Sequence, residues 1–358
     1  MKIALDITPI DPTVSSLHKV RGVGRYIALL KDNLEKIDTK NDYVFFSRGQ
    51  KLPDDVDVIH YPYFEPFFLT LPFLQKKKTI ITIHDLTPVI FSKNFPTGIK
   101  GRLKWNIEKK IAKKAHAIVT DSLCSKKDII RLIGAKEGKV HVAYLGVEDN
   151  FKEKNISQSE RASLQKKYHL PERFALYVGD ATWNKNLPRI IRASIEAQIP
   201  LVLVGKTIAE NPSDITNAWN KDLIKAKELI TSSEIVIPLG FVNEDELVKL
   251  YNLAQFLLMP SLYEGFGLPV LEAMQSGCPV IVSNEGSLRE VAGKAGMYVD
   301  PYKTESIVGA MKGLFVDDKK RADMRKIGLE QAKKFSIKKM IEDTVSVYNT
   351  LSTHEEAR

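Results

Sequence analysis

Two glutamates, Glu264 and Glu272, flank Gly-Phe-Gly-Leu-Pro-Val-Leu in the segment PSLYEGFGLPVLEAMQSGCPVIVSNEGSLREV, 260–291. The segment reads as strand, glycine-containing turn, helix, Gly277, strand. Pro269 suits the first turn of a helix, and Gly277 suits the position just past its end. Glu264 is then expected on the turn and Glu272 in the first helical turn, so both carboxylates crowd one helix N-terminus. Exposed amides there, with Gly265 and Gly267 permitting close backbone approach, suit a phosphate. A carboxylate can accept two hydrogen bonds from a vicinal diol such as ribose or a hexose. The competing explanation is that both glutamates simply favour the positive end of the helix.

Three further groups sit where strands end. Gly179-Asp-Ala-Thr-Trp-Asn-Lys-Asn186 follows FALYVG and offers Gly179, Asn184 and Lys185; a lone loop lysine is ordinarily just solvated. His84 closes TIITIH and is followed by Asp85; a histidine there is often a satisfied structural residue. Arg21-Gly-Val-Gly-Arg-Tyr26 opens a helix, where Gly22 and Gly24 let amides approach a pyrophosphate, although a glycine pair commonly marks only a tight turn. Other chemistries lack support. No GxGxxG follows the first strand, and there is no Walker lysine pattern. The seven histidines form no HExxH, Cys124 and Cys278 are far apart, and no GxSxG marks a hydrolase nucleophile.

The elements that must position these residues are short apolar strands alternating with amphipathic segments. Strands are expected at 2–7, 43–47, 57–61, 79–84, 117–122 and 140–144, and again at 174–179, 200–205, 234–240, 255–261, 279–283 and 296–300. Most are unalternating and rich in Ile and Val, as in parallel sheets buried on both faces. Helices fall between them, notably at 23–36, 101–115, 124–133, 187–197, 217–231, 244–253 and 269–276. The polar stretch 151–174 separates the halves, and 304–351 reads as successive helices. At 358 residues, two doubly wound α/β domains follow. In such sheets ligands bind beyond the carboxyl ends of the strands, where all four groups stand.

The Glu264–Glu272 segment resembles the Glu-x7-Glu signature of retaining glycosyltransferases of family 4. The similarity extends to Gly240-Phe-Val242, Ser276-Gly-Cys-Pro-Val280 and Ser287-Leu-Arg-Glu290. It implies the GT-B fold: two Rossmann-like domains facing an interdomain cleft, with the last helix crossing back to the first. Domains are accordingly expected at 1–168 with 336–358, on the acceptor side, and at 169–335, binding the donor. By the same resemblance Glu272 would hold the ribose of a nucleotide-diphosphate sugar, and Glu264 would contact hydroxyls of the transferred sugar. The backbone of Gly265, Phe266, Gly267 and Leu268 would meet sugar hydroxyls and phosphate, with Gly179 and Asn184 also on the donor. Phe241 and Val242 would line the base pocket, or simply pack after a strand. His84 would sit in the cleft near the transferred sugar, with Asp85 positioning its loop or meeting the acceptor. Gly24 would face the donor phosphates, and Arg25 would be a phosphate or acceptor contact. The family's diphosphate clamp is usually an Arg and a Lys. Lys185 matches the Lys, but Asp180 or Asn184 stands at the usual Arg positions. Lys185 then acts with amides and hydroxyls alone, or Arg189 or Arg192 substitutes.

The implied reaction is hexosyl transfer with retention, catalysed by Glu264, Lys185 and His84 without metal or other cofactor. The nucleotide sugar is a co-substrate: GDP-mannose is the leading expectation, and UDP-glucose or another UDP-sugar the alternative. A reading of another class is a nucleotide-sugar-binding protein without turnover. The acceptor would be a saccharide or a lipid-linked saccharide of surface polysaccharide or glycoconjugate synthesis.

Charge separates the two halves. Residues 1–170 hold 30 Lys+Arg against 19 Asp+Glu, a net +11, whereas residues 171–358 carry −2. In the basic half, YPYFEPFFLTLPFLQKKK (61–78) is aromatic and proline-rich and ends in three lysines. It is too short and too broken to span a bilayer, but suits an interfacial loop, and 101–118 mixes cations with apolar residues as in a membrane-surface helix. The alternative is a solvated basic face with a packed loop. No nucleic-acid module is visible. Two cysteines suggest a reducing compartment, and Asp6 interrupts any apolar leader. The expected location is cytoplasmic, with peripheral contact to the anionic membrane face.

Overall fold

The computed structural model describes residues 1–13, 21–209 and 214–352. The chain divides into two compact units: residues 1–92, 97–146 and 335–358, and residues 93–96 with 147–334.

The first unit is built on six parallel strands: β1 (Lys2–Asp6), β2 (Asp42–Phe46), β3 (Val58–Tyr61), β4 (Lys78–Thr82), β5 (Ala117–Thr120) and β6 (Val140–Val142), in the order β2-β1-β3-β4-β5-β6. Strands β3 and β5 are buried along their whole length, which is why Val-Ile-His-Tyr and Ala-Ile-Val-Thr show no alternation. Helix Ile337–Ser352 belongs to this unit and buries Met340, Ile341, Thr344, Val347, Tyr348 and Leu351. Its Tyr348 hydroxyl lies 2.8 Å from His60 Nδ1 on β3. Residues 353–358, the end of the segment expected to cross back, lie outside the described residues.

The second unit repeats the plan with β7 (Ala175–Val178), β8 (Leu201–Val204), β9 (Val236–Gly240), β10 (Phe256–Met259), β11 (Val280–Ser283) and β12 (Gly296–Val299), in the order β12-β11-β10-β7-β8-β9. Its core joins Tyr177, Leu201, Leu203, Phe256, Leu258 and Ile281 from the sheet to Leu187, Ile190, Ile307, Met311 and Leu314 from helices. Every strand position read from the sequence corresponds to a strand. The short helices Thr87–Ile90 and Leu288–Ala292 were not expected, being too brief to show a period.

The domain boundary differs from expectation. It falls at 146/147, not 168/169, because 151–168 is fastened to the second unit. Phe151 packs edge-on against Tyr251, Asn252 accepts from the Lys154 amide at 2.7 Å, and Lys167 and Tyr168 both reach Glu246. Helix Gln158–Tyr168 starts with a Ser157–Glu160 capping box, so its polarity reflects an exposed face and not a linker. Among the described residues, no helix is long and apolar enough to cross a membrane.

Candidate functional site

Strands β7 and β10 are neighbours, and the chain leaves them in opposite lateral directions, with β8 and β9 beyond β7 and β11 and β12 beyond β10. Such a reversal opens a crevice at the carboxyl ends of the strands. The loops that follow β7 and β10 carry the two motifs of the second half.

After β7, Gly179 donates its amide to the Val204 carbonyl at 2.9 Å, and a short turn Trp183–Lys185 ends at Asn186, buried and left-handed with φ 61°. Asn186 Nδ2 donates to the carbonyls of Pro260 (3.0 Å) and Pro301 (2.8 Å). Asn184 donates to the Tyr263 carbonyl at 3.0 Å, and its own carbonyl accepts the Leu262 amide at 2.7 Å. These bonds stitch the β7 loop to the β10 loop. The result is that Lys185 Nζ stands 2.9 and 2.8 Å from the two carboxylate oxygens of Glu264. Asn184 thus joins the two loops. Arg189 donates to Asn186 Oδ1 and the Pro301 carbonyl, so it holds the loop, and Arg192 is exposed farther along the helix.

The Glu264 backbone is held as firmly as its side chain. Ser287 contributes its amide at 3.2 Å and its hydroxyl at 3.0 Å to the Glu264 carbonyl. Gly286, at φ 62°, makes this approach feasible, since a Cβ there would lie 2.7 Å from Glu264 O. Gly267, at φ 102°, precedes helix Leu268–Gln275, and a Cβ on it would meet Leu288 at 2.6 Å. Gly265 and Phe266 are buried in the turn, and Leu268 opens the helix.

Glu272 departs from the sequence expectation. The helix begins at Leu268, so Glu272 lies in its second turn. The dipole effect fades within the first turn, which weakens the explanation that Glu272 merely serves the helix end. Glu272 is 4% exposed and accepts from the Tyr251 hydroxyl at 2.8 Å. Tyr251 carried no signal in the sequence: it is one aromatic on an ordinary amphipathic helix. Phe241 and Val242, next to each other after β9, diverge. Phe241 is exposed and Val242 buried, so the side chains do not share one environment.

In the first unit, three adjacent strands deliver a second polar cluster. Glu65 follows β3, His84 and Asp85 follow β4, and Asp121 follows β5. His84 Nδ1 lies 2.6 Å from Asp121 Oδ2, and the Tyr26 ring packs edge-on against the imidazole at 4.8 Å. Burial pulls the His84 pKa down, but the Asp121 charge and hydrogen bond, with Asp85 and Glu65, leave it raised. Burial, reinforced by the Asp85 charge, pushes the Glu65 carboxyl up to about 7. Asp85 accepts the Thr87 amide at 2.8 Å and so shapes the turn into Thr87–Ile90. Sequence reading missed Asp121, although it directly follows a strand.

Gly22 and Gly24 lie in helix Arg21–Ile37, as expected of a segment that opens a helix, and residues 14–20 before it lie outside the described residues. Arg25 follows, half-buried. A Cβ on Gly24 would make only an ordinary 3.6 Å contact with Ile10. Among the described residues, no group of three His, Cys, Asp or Glu is arranged to hold a metal ion.

Comparison with known proteins bears on both units. Residues 159–331 match the family model "Glycosyl transferases group 1", and residues 20–151 match "Glycosyltransferase Family 4". The chain is 30% identical over 286 residues to O-antigen chain mannosyltransferase B of Escherichia coli, covering 77% of this chain and 71% of that one. It is 28% identical over 265 residues to the serotype-specific mannosyltransferase WbdA of Escherichia coli, covering 72% of this chain but only 32% of the relative. The chain thus spans about a third of that protein's length. In fold it is similar to sucrose-phosphate synthase from Thermosynechococcus elongatus, with a TM-score of 0.74 at 18% identity over 99% of this chain and 100% of that one. Two six-stranded parallel sheets of this order, a glutamate pair at the sheet reversal, and a relative at this identity together place the chain in the group 1, family 4 glycosyltransferases of GT-B fold.

Proposed function

We propose that the protein transfers a hexose, with retention and without a metal, from a nucleotide-diphosphate sugar to a saccharide or lipid-linked saccharide. The observation that carries this reading is Lys185 bridging both oxygens of buried Glu264 at the junction of β7 and β10. A lysine and a carboxylate so paired present one group suited to phosphate and one suited to sugar hydroxyls. As the glycosidic bond to the diphosphate breaks, negative charge grows on the leaving phosphate and positive charge on the sugar. Lys185 and the amides around Gly265 answer the first, and Glu264 the second. The departing phosphate takes the acceptor's proton from the same face, so Glu264 need not bond covalently to the sugar. Glu272, held by Tyr251, accepts from the ribose hydroxyls.

The mannosyltransferase relatives favour mannose as the sugar, with GDP as the carrier we propose, and the O-antigen chain named for one of them favours a surface-polysaccharide acceptor. Thermal unfolding with GDP-mannose, UDP-glucose and ADP-glucose tests the reading. GDP-mannose is expected to raise the midpoint, and the shift should survive a chelator. No shift with any nucleotide sugar would overturn it.

A further inference from the structure

The parallel register of β4 and β5 pairs Ile80 with Ala117, Ile81 with Ile118 and Thr82 with Val119, and the ladder continues with the Ile83 amide on the Val119 carbonyl at 2.9 Å. Carried two residues further, that register sets His84 beside Asp121. Their contact at 2.6 Å thus lies where the register, extended just past both strand ends, places it. The imidazole is also braced from behind. Tyr26 packs edge-on against it, the Tyr26 hydroxyl lies 3.2 Å from Thr82 Oγ1, and Thr82 lies 2.8 Å from His60 Nε2, which leads to Tyr348. Burial raises the Asp121 pKa, and the His84 charge and hydrogen bond oppose it; as a carboxylate Asp121 only accepts, and Nδ1 then carries the shared proton. Among the described residues, His84 Nε2 is buried with no hydrogen-bond partner.

We propose that Asp121 is a positioning residue for glycosyl transfer: it fixes the ring and tautomer of His84 so that Nε2 alone is left to meet an oxygen of the transferred sugar or acceptor. This rests on the reading of His84 as a group at the transferred sugar. A partner that holds the other ring nitrogen sets which atom faces the substrate. Among the described residues, Asp121, Asp85 and Glu65 are the charged groups around the ring, and Tyr26 and His60 are the other titratable groups of this network. Of these, Asp121 makes the direct contact.

The test compares steady-state kinetics of the parent, Asp121→Asn, Asp121→Glu, His84→Ala and the double variant across pH. Asp121→Asn should lower kcat about 10–100-fold at an unchanged donor KM. It should also move the His84 limb of the pH profile to lower pH, because the charge that raises the His84 pKa is gone. Asp121→Glu should recover part of the rate, and the double variant should be no slower than His84→Ala. A parental rate and pH profile in Asp121→Asn, or losses that multiply in the double variant, would overturn the proposal. Nitrogen-15 NMR of the parent's imidazoles gives a readout independent of turnover and of variant folding. A neutral His84 protonated at Nδ1 is expected, and one protonated at Nε2 contradicts the proposal. Should the parent turn over no nucleotide sugar, the transferase reading fails while the NMR result still decides the role of Asp121 in fixing the ring.

Discussion

At the scale of single residues, the two clusters handle charge in opposite ways. Glu264 is 6% exposed and keeps its carboxylate next to Lys185; breaking such a pair would leave an uncompensated buried charge. Among the described residues Glu65 makes no such ion pair, and burial and the Asp85 charge favour its neutral form against the opposing pull of His84. A carboxyl whose folded pKa lies above its ordinary value stabilises the fold below the unfolded pKa, and that contribution is lost as pH rises through the folded one. Stability should therefore fall between pH 4.5 and about 7 on account of Glu65, by at most roughly 3 kcal/mol. Glu65→Gln should flatten this part of the profile, leaving the melting temperature unchanged near pH 4 and raising it near pH 8. Thermal melts across that range measure it, and an unaltered slope would show that Glu65 titrates normally.

At the scale of elements, the strands were legible because unbroken Val/Ile runs between turns admit little else. The glutamate pair was legible because glycine and proline punctuate its helix. What the sequence hid were partners brought together by the sheets. Asp121 is 37 residues from His84 and Tyr251 is 21 residues from Glu272. Nothing in local periodicity links them. The domain boundary was hidden for the same reason: the polar face of helix Gln158–Tyr168 resembles a linker, and only its bonds to Glu246 and Lys249 reveal its unit. Arg189 was a reasonable clamp candidate by charge, and the structure ties it to Asn186 and Pro301 instead. Tyr251→Phe removes the hydroxyl that steadies Glu272. Nucleotide affinity should weaken about fivefold to tenfold, the equivalent of about 1 kcal/mol, with the fold intact. Calorimetric titration of the variant against its parent measures this.

At the scale of the whole molecule, the basic excess belongs to the first unit, which also carries an apolar surface. Phe68, Leu69, Phe73 and Leu74 after β3, and Ile99 and Leu103 one turn apart on helix Gly98–Lys114, are 39–86% exposed. Buried Glu108 accepts the Thr70 and Leu71 amides and so ties the loop to that helix, while Lys104 lies over the Phe68 ring at 5.3 Å. Lys76, Lys77, Lys100 and Arg102 are exposed in the same two segments. Aromatics beside lysines suit the interface of an anionic bilayer, where the lipid-linked acceptor proposed above would be met. Flotation should show binding to anionic vesicles that salt reverses, none to neutral ones, and loss of binding with Phe73→Ser and Leu74→Ser together. Equal recovery with both lipids would contradict the proposal.

Retaining hexosyl transfer at the Lys185–Glu264 pair is tested by incubating the protein with GDP-mannose and an array of saccharides and lipid-linked saccharides, and reading the anomeric configuration of the product by NMR. A product with the donor's α configuration is expected, formed by the parent and lost with Glu264→Gln. An inverted product, or undiminished transfer by Glu264→Gln, would contradict it.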